Sequence, residues 1–246
     1  MRKFTLLLLA VTALFSVASA KKKAKPKVLV FSKTAGFRHD AIPVGKLAML
    51  KLGAENGFSV DTTEDATKFT DENLKQYTTI VFLSTTGDIF NAAQQAAMEK
   101  YIRKGGSFVG VHAATDTEYD WPWYNQLVGA YFLSHPEQQT ATLKVVNHDH
   151  PSTKHLSDDW VRKDEWYNFK SIVPGLNVLI KIDESTYKGG KNGDDHPMSW
   201  YREFDGGRTF YTELGHTKAS YEEPNFLKHL LGGIQYAMGK KFPKKK

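Results

Sequence analysis

Three short, unbroken apolar runs stand out along the chain: Val28-Leu29-Val30-Phe31, Ile80-Val81-Phe82-Leu83 and Ser107-Phe108-Val109-Gly110-Val111. Runs of this length and composition read as strands buried on both faces. Helical patterns lie between them. The first covers about 43–55, with Leu47, Leu50 and Ala54 on one side and Gly57 as its stop. Phe58–Asp61 then reads as a short strand. A second helix covers 92–104, opened by Asn91 with Gln94 three places on and closed by Gly105-Gly106. Buried strands alternating with helices predict a parallel sheet with helices on both faces, a flavodoxin-like α/β arrangement.

The second half has a different texture. Residues 115–140 are rich in aromatic and polar side chains and read as a structured insertion or long loop. Thr140–Val146 and Asn177–Ile182 read as strands, and Met198–Phe204 and Arg208–Leu214 as a hairpin turned by Asp205-Gly206-Gly207. A final helix runs from about Pro224 to Met238, with Pro224 suited to its first turn. Neither an internal repeat nor an internal linker is visible, so 28–239 reads as a single α/β domain.

The first twenty residues belong to another category. Arg2 and Lys3 precede an apolar stretch ending near Phe15, and Ala18-Ser19-Ala20 offers a small-x-small cleavage site. That layout predicts a signal peptide and an exported protein, periplasmic or secreted. The stretch is short for a membrane span of about 20 residues, and no later segment is long and apolar enough to be one.

Composition narrows the chemistry. The 246 residues are 41% apolar and 24% charged, ordinary for a globular protein. There is no cysteine, which excludes disulfides, zinc–thiolate and iron–sulfur sites, and a thiol nucleophile. The formal charge of +6 comes from 33 basic and 27 acidic residues. Twelve of the basic residues lie in the leader and in basic tails at 21–27 and 240–246, so 28–239 keeps 21 basic against 27 acidic residues, about −6. Nucleic-acid binding wants basic residues on a folded face, so no nucleic-acid partner is expected.

In an open parallel sheet, ligands gather beyond the carboxyl ends of the strands. Gly36-Phe37-Arg38-His39 follows the first strand, His112 to Tyr119 follows the third, and Gly215-His216-Thr217 follows the hairpin. The fold therefore predicts that His39, His112 and His216 meet at one sheet edge. His135-Pro136, Asp164-Glu165-Trp166-Tyr167 and Asp195-His196-Pro197 stand at loop positions between them. Aromatic rings beside carboxylates suit a polyhydroxylated ligand, since apolar sugar faces stack on rings. Arg38, His39, Trp121, Trp166, Tyr167 and His196 are the substrate-binding candidates. His148, His150 and His155, in a polar stretch, read as surface residues.

These motifs, with Thr85-Thr86-Gly87-Asp88, Gly110-Val111-His112-Ala113-Ala114, Asp116 to Tyr124 and Phe210 to Thr217, resemble the ThuA-like (trehalose utilisation) family across 28–239. The resemblance implies the class I glutamine amidotransferase-like fold. It places His112 where those amidotransferases carry a nucleophilic cysteine, and His216 where they carry their histidine. Thiol-dependent glutamine hydrolysis is therefore excluded.

What the resemblance implies is sugar or disaccharide catabolism linked to 3-keto glycosides. A lyase, isomerase or hydrolase would use His112 or Glu165 as base. His216 and His196 would polarise a carbonyl or protonate a leaving group, and Asp116 would orient an imidazole. A divalent metal, zinc or similar, held among His39, His112, His196 and His216 is the candidate cofactor. The alternatives are a non-catalytic carbohydrate-binding or scaffold protein on the same fold, and hydrolysis by the carboxylate pair Glu165 and Asp116.

Overall fold

A computed structural model describes residues 25–239. The leader expected at 1–20, residues 21–24 of the first basic tail and the whole of 240–246 lie outside them. The first half alternates as the apolar pattern predicts: β1 (Lys27–Phe31), α1 (Ile42–Asn56), β2 (Ser59–Thr63), the single turn α2 (Asp71–Leu74), β3 (Thr79–Leu83), α3 (Ala92–Arg103) and β4 (Ser107–Val111). Every residue of β3 and β4 is buried. Helix α3 opens on the expected capping box, in which the Asn91 side chain accepts from the Gln94 N–H and the Gln94 side chain from that of Asn91.

The region 115–140 is more regular than its composition suggested, holding α4 (Pro122–Val128) and β5 (Tyr131–Ser134). Next come β6 (Gln139–Val145), β7 (Asp159–Asp164), β8 (Asn168–Lys170), β9 (Asn177–Ile182), β10 (Pro197–Phe204), β11 (Gly207–Thr212) and α5 (Pro224–Ala237). Strands β10 and β11 form the predicted hairpin, whereas β5, β7 and β8 were not expected: β5 carries only the three-residue apolar run Tyr131-Phe132-Leu133, and β7 and β8 are short and largely polar.

Nine strands form one sheet in the order β2-β1-β3-β4-β11-β10-β9-β6-β7, and β5 pairs with β8 separately. From β2 to β11 the pairings are parallel; the outer strands β10, β9, β6 and β7 add on antiparallel. Because β1, β3, β4 and β11 run side by side in one direction, the loops that follow them share one edge. Neighbouring residues of a strand point to opposite faces, and β11 shows both faces covered. Phe210 meets His229 of α5 at 5.5 Å between ring centroids. Tyr211 stacks on Trp200 at 4.3 Å, and the Trp200 indole N–H donates to the Val128 carbonyl of α4.

Helix α1 turns a different face inward from the expected one. Leu47, Leu50 and Ala54 point to solvent, while Ile42, Gly45, Met49, Leu52 and Gly53 are buried. The helix is apolar nearly all round, so periodicity alone could not choose. Close approach chose instead: a Cβ on Gly53 would lie 2.7 Å from Val60 of β2, so only the glycine side fits against the sheet. His150 is likewise buried rather than at the surface, its ring stacked on Tyr201 and Phe210.

Candidate metal centre

Four segments distant in sequence deliver side chains to the shared edge. His39 lies between β1 and α1, His112 directly follows β4, Glu165 directly follows β7 and His216 lies beyond the end of β11. One ring nitrogen from each of His39, His112 and His216 and one Glu165 carboxylate oxygen lie within 4.8 Å of one another. His112 Nε2 is 3.2 Å from His39 Nε2, 3.1 Å from His216 Nδ1 and 3.4 Å from Glu165 Oε2. Glu165 Oε2 is 3.0 Å from His216 Nδ1.

These spacings have a chemical meaning. Zinc bonds to nitrogen and oxygen are about 2.0–2.2 Å long, so the edge of a tetrahedron around zinc is about 3.3–3.6 Å. His112 Nδ1 donates to the Glu213 carbonyl oxygen at 2.8 Å, so in the neutral ring Nε2 carries the lone pair and faces the group. Three imidazole nitrogens and a carboxylate oxygen, 3.0–3.4 Å apart around His112 and Glu165 and within 4.8 Å throughout, form a compact donor set whose chemistry suits a divalent cation such as zinc. These four residues could hold one.

The backbone is bent to make this arrangement. His112 has φ +50°, in the left-handed region that costs a side chain on the order of 1–3 kcal/mol. Its carbonyl accepts from the Tyr211 hydroxyl at 2.7 Å, which helps fix the turn. Asp164, fully buried, joins two of the contributing loops. Its Oδ1 accepts from the Glu165 N–H at 3.1 Å and its Oδ2 from the Gly215 N–H at 3.1 Å, while Arg162 lies 3.3 Å away as its counter-charge.

The site's electrostatics follow from burial and proximity. Burial, and then the neighbouring imidazoles, push the His39 pKa down to about 2, so the ring is neutral. Burial opposes charge on His112 too, but hydrogen bonds to Glu165 and Glu213 outweigh it and raise its pKa to about 10. For Glu165, burial is overcome by His112 and His216, which hold the carboxyl well below its usual range. Glu213 sits fully buried behind His112, where burial pushes its pKa up to about 7.

Sequence reasoning placed His39, His112 and His216 together and chose Glu165, and the structure brings all four together. The other candidates fall elsewhere. His196 is not in the group: its ring is fully buried, with Nδ1 2.7 Å from Glu184 and Nε2 2.7 Å from the Tyr167 carbonyl, so both nitrogens are engaged. Asp116 orients no imidazole; it accepts from the Tyr119 hydroxyl at 2.6 Å, and burial raises its pKa. Arg38 makes a two-pronged pair with Glu64 at 2.9 Å. Trp166 is fully buried and donates to the Gln139 carbonyl, and Trp121 donates to Glu99 and stacks on Trp123. Tyr167 does reach the group, its ring 4.5 Å from that of His112.

Two further residues belong here. Glu213 had a legible signal, a carboxylate inside the apolar run Phe210 to Leu214, since a charge in a buried strand requires a partner. His135 Nδ1 is 3.2 Å from Glu165 Oε1 and 2.9 Å from the Pro136 carbonyl, with 42% of its side chain exposed. Only its place before a proline marked it.

A family model described as trehalose utilisation, ThuA, matches residues 27–237. No curated protein matches at a significant level. Among solved structures, a ThuA-like protein from Bacteroides uniformis superposes with a TM-score of 0.74 at 24% identity, covering 90% of this chain and 94% of the other. One from Parabacteroides merdae gives 0.74 at 21%, covering 90% and 93%. A β-galactosidase from Bacillus circulans shares the fold at a TM-score of 0.58 and 12% identity, covering 88% of this chain and 31% of that one. With the family model spanning nearly the whole described chain and an α/β sheet of the same architecture, the protein belongs to the ThuA family of trehalose-utilisation proteins.

Proposed function

We propose that this chain is an exported enzyme of carbohydrate catabolism that acts on a glycoside or disaccharide, in particular a 3-keto sugar, at a divalent metal site formed by His39, His112, Glu165 and His216. The observation that carries the reading is the convergence of those four ligand atoms at one sheet edge, in a family linked to sugar use. Export rests on the leader-like residues 1–20.

A bound divalent cation would supply Lewis-acid polarisation of a sugar carbonyl or hydroxyl oxygen. The chain's own residues account for the rest. A bound cation would require His112 Nε2 to be unprotonated, and the Glu213 carbonyl, which accepts from Nδ1, fixes the ring so that Nε2 faces the group. Glu165 directs Oε2 into the group and Oε1 toward His135. His135 Nδ1 has two acceptors beside it and therefore keeps its proton, leaving Nε2 as the basic atom on a half-exposed ring. We therefore assign the role of general base to His135 rather than to His112, whose nitrogens are both engaged within the group. In a 3-keto glycoside, the base removes the proton from the carbon between the ketone and the anomeric centre. The released electron pair forms the C1–C2 double bond as the C1–O bond breaks, and the departing glycosidic oxygen takes up the proton that the base removed.

The test is product analysis with trehalose and 3-ketotrehalose, using protein stripped by chelation and protein reloaded with zinc. Turnover of the keto sugar that disappears on stripping and returns with zinc is expected. Turnover indifferent to chelation, or sugar binding with no product, would contradict the reading.

A further inference from the structure

Phe37 is the most exposed of the large apolar side chains among the described residues, at 67%, and the only aromatic ring in that exposed group. Its position is unlike that of the others. Its ring lies 4.9 Å from the His39 ring and nearly perpendicular to it, at 86°, and His39 in turn packs against His112 and His216 at 4.7 and 5.2 Å. An apolar ring in open water therefore adjoins the ligand group directly.

The loop that presents this ring is held in place. The Ala35 N–H donates to the Thr86 carbonyl at 2.7 Å, and the Thr86 hydroxyl donates to the Phe37 carbonyl at 2.8 Å. Each neighbour of Phe37 points to its own destination: Arg38 turns aside to Glu64, and His39 turns inward. Fixed backbone on both sides means that little chain ordering is needed when a ligand covers the ring. An exposed ring beside polar, charge-bearing groups matches the two-sided chemistry of a pyranose, whose axial C–H face is apolar and whose rim carries oxygens.

We propose that Phe37 is a glycosyl-binding platform, stacking on the apolar face of one sugar ring so that the oxygens of that ring or its neighbour face His39, His112, Glu165 and His216. This rests on the sugar reading above and names the side chain that would recognise the sugar. Trp121 and Trp166, the indoles that composition favoured for this task, are packed in the interior, which leaves Phe37 as the exposed apolar ring at the site among the described residues.

The test compares zinc-loaded wild type, Phe37→Ala and Phe37→Trp by calorimetric titration with 3-ketotrehalose and by steady-state kinetics on the same sugar, with zinc content measured for each. Phe37→Ala is expected to weaken binding and raise KM about tenfold, with kcat within about twofold of wild type and zinc content unchanged. Phe37→Trp is expected to keep wild-type affinity. Equal affinity and KM in wild type and Phe37→Ala would overturn the platform while leaving the sugar reading intact. A wild type that binds zinc but no sugar would overturn both.

Discussion

At the scale of single residues, His112 carries conflicting demands. It occupies a left-handed backbone position, its ring is fully buried, and its Nε2 lies within 3.4 Å of three other donor atoms. A β-carbon at φ +50° is a conformational cost that glycine does not bear. His112→Gly should therefore be more stable than His112→Ala by about 1 kcal/mol, although both lose the imidazole and with it metal binding. Chemical denaturation of the two metal-free variants checks the order; an alanine variant as stable as the glycine one would mean the turn relaxes. The residue itself was legible in sequence as a histidine immediately following a buried strand. Its orientation was not, because the partner that fixes the ring is the main-chain carbonyl of Glu213, 101 positions away.

Elements decide which residues meet. His39, His112 and His216 follow parallel strands of the central sheet, so strand direction alone brings them to one edge. Glu165 arrives differently. It follows β7, the outermost antiparallel strand, and reaches the group because Asp164 bonds the Gly215 N–H beyond β11. No periodicity in β7 announces that connection, and the same gap explains why Trp166 was misplaced. Asp164→Asn replaces one acceptor oxygen with a donor facing a main-chain N–H and leaves Arg162 with Glu223 as its remaining carboxylate partner. The variant should bind zinc about 10–100-fold more weakly, as outer-shell substitutions do. Arg38→Ala, on a loop of the same site but paired outward with Glu64, should change zinc affinity less than twofold. Competition titrations against a chromophoric chelator distinguish them; equal affinity in Asp164→Asn and wild type would show that Glu165 and His216 are placed without it. Helix α1 teaches the complementary lesson: its apolar residues surround the helix, and a steric fit at Gly53 chose the inward face.

At the scale of the whole molecule, burial sets the acid response. His150 and His229 are buried away from the site, and burial pushes each pKa down to about 3. The unfolded rings titrate near 6.5, so below that pH the unfolded state binds more protons than the folded state. Stability contributed by these two neutral rings is full above about pH 6.5 and is lost as pH falls toward 3, by up to about 1.4 kcal/mol per pH unit for each. Denaturant melts from pH 7 to pH 4 should show this decline, and His229→Asn should flatten it by about one proton; an unchanged slope would assign the acid response to other groups. The α/β sheet and the strand-end histidines were legible because they depend on local apolar runs and strand direction, and the family because its short motifs stand intact in the chain. The place of Glu165 in the group and the positions of the tryptophans depend on how the antiparallel strands return over the sheet. The central claim is that four side chains from this one chain form a metal site, and calorimetric zinc titration of the chelator-stripped protein tests it most directly. One equivalent per chain is expected for wild type and for His196→Ala, with binding lost in His112→Ala and Glu165→Ala; wild type taking up no zinc, or His112→Ala binding it as tightly as wild type, would contradict the account.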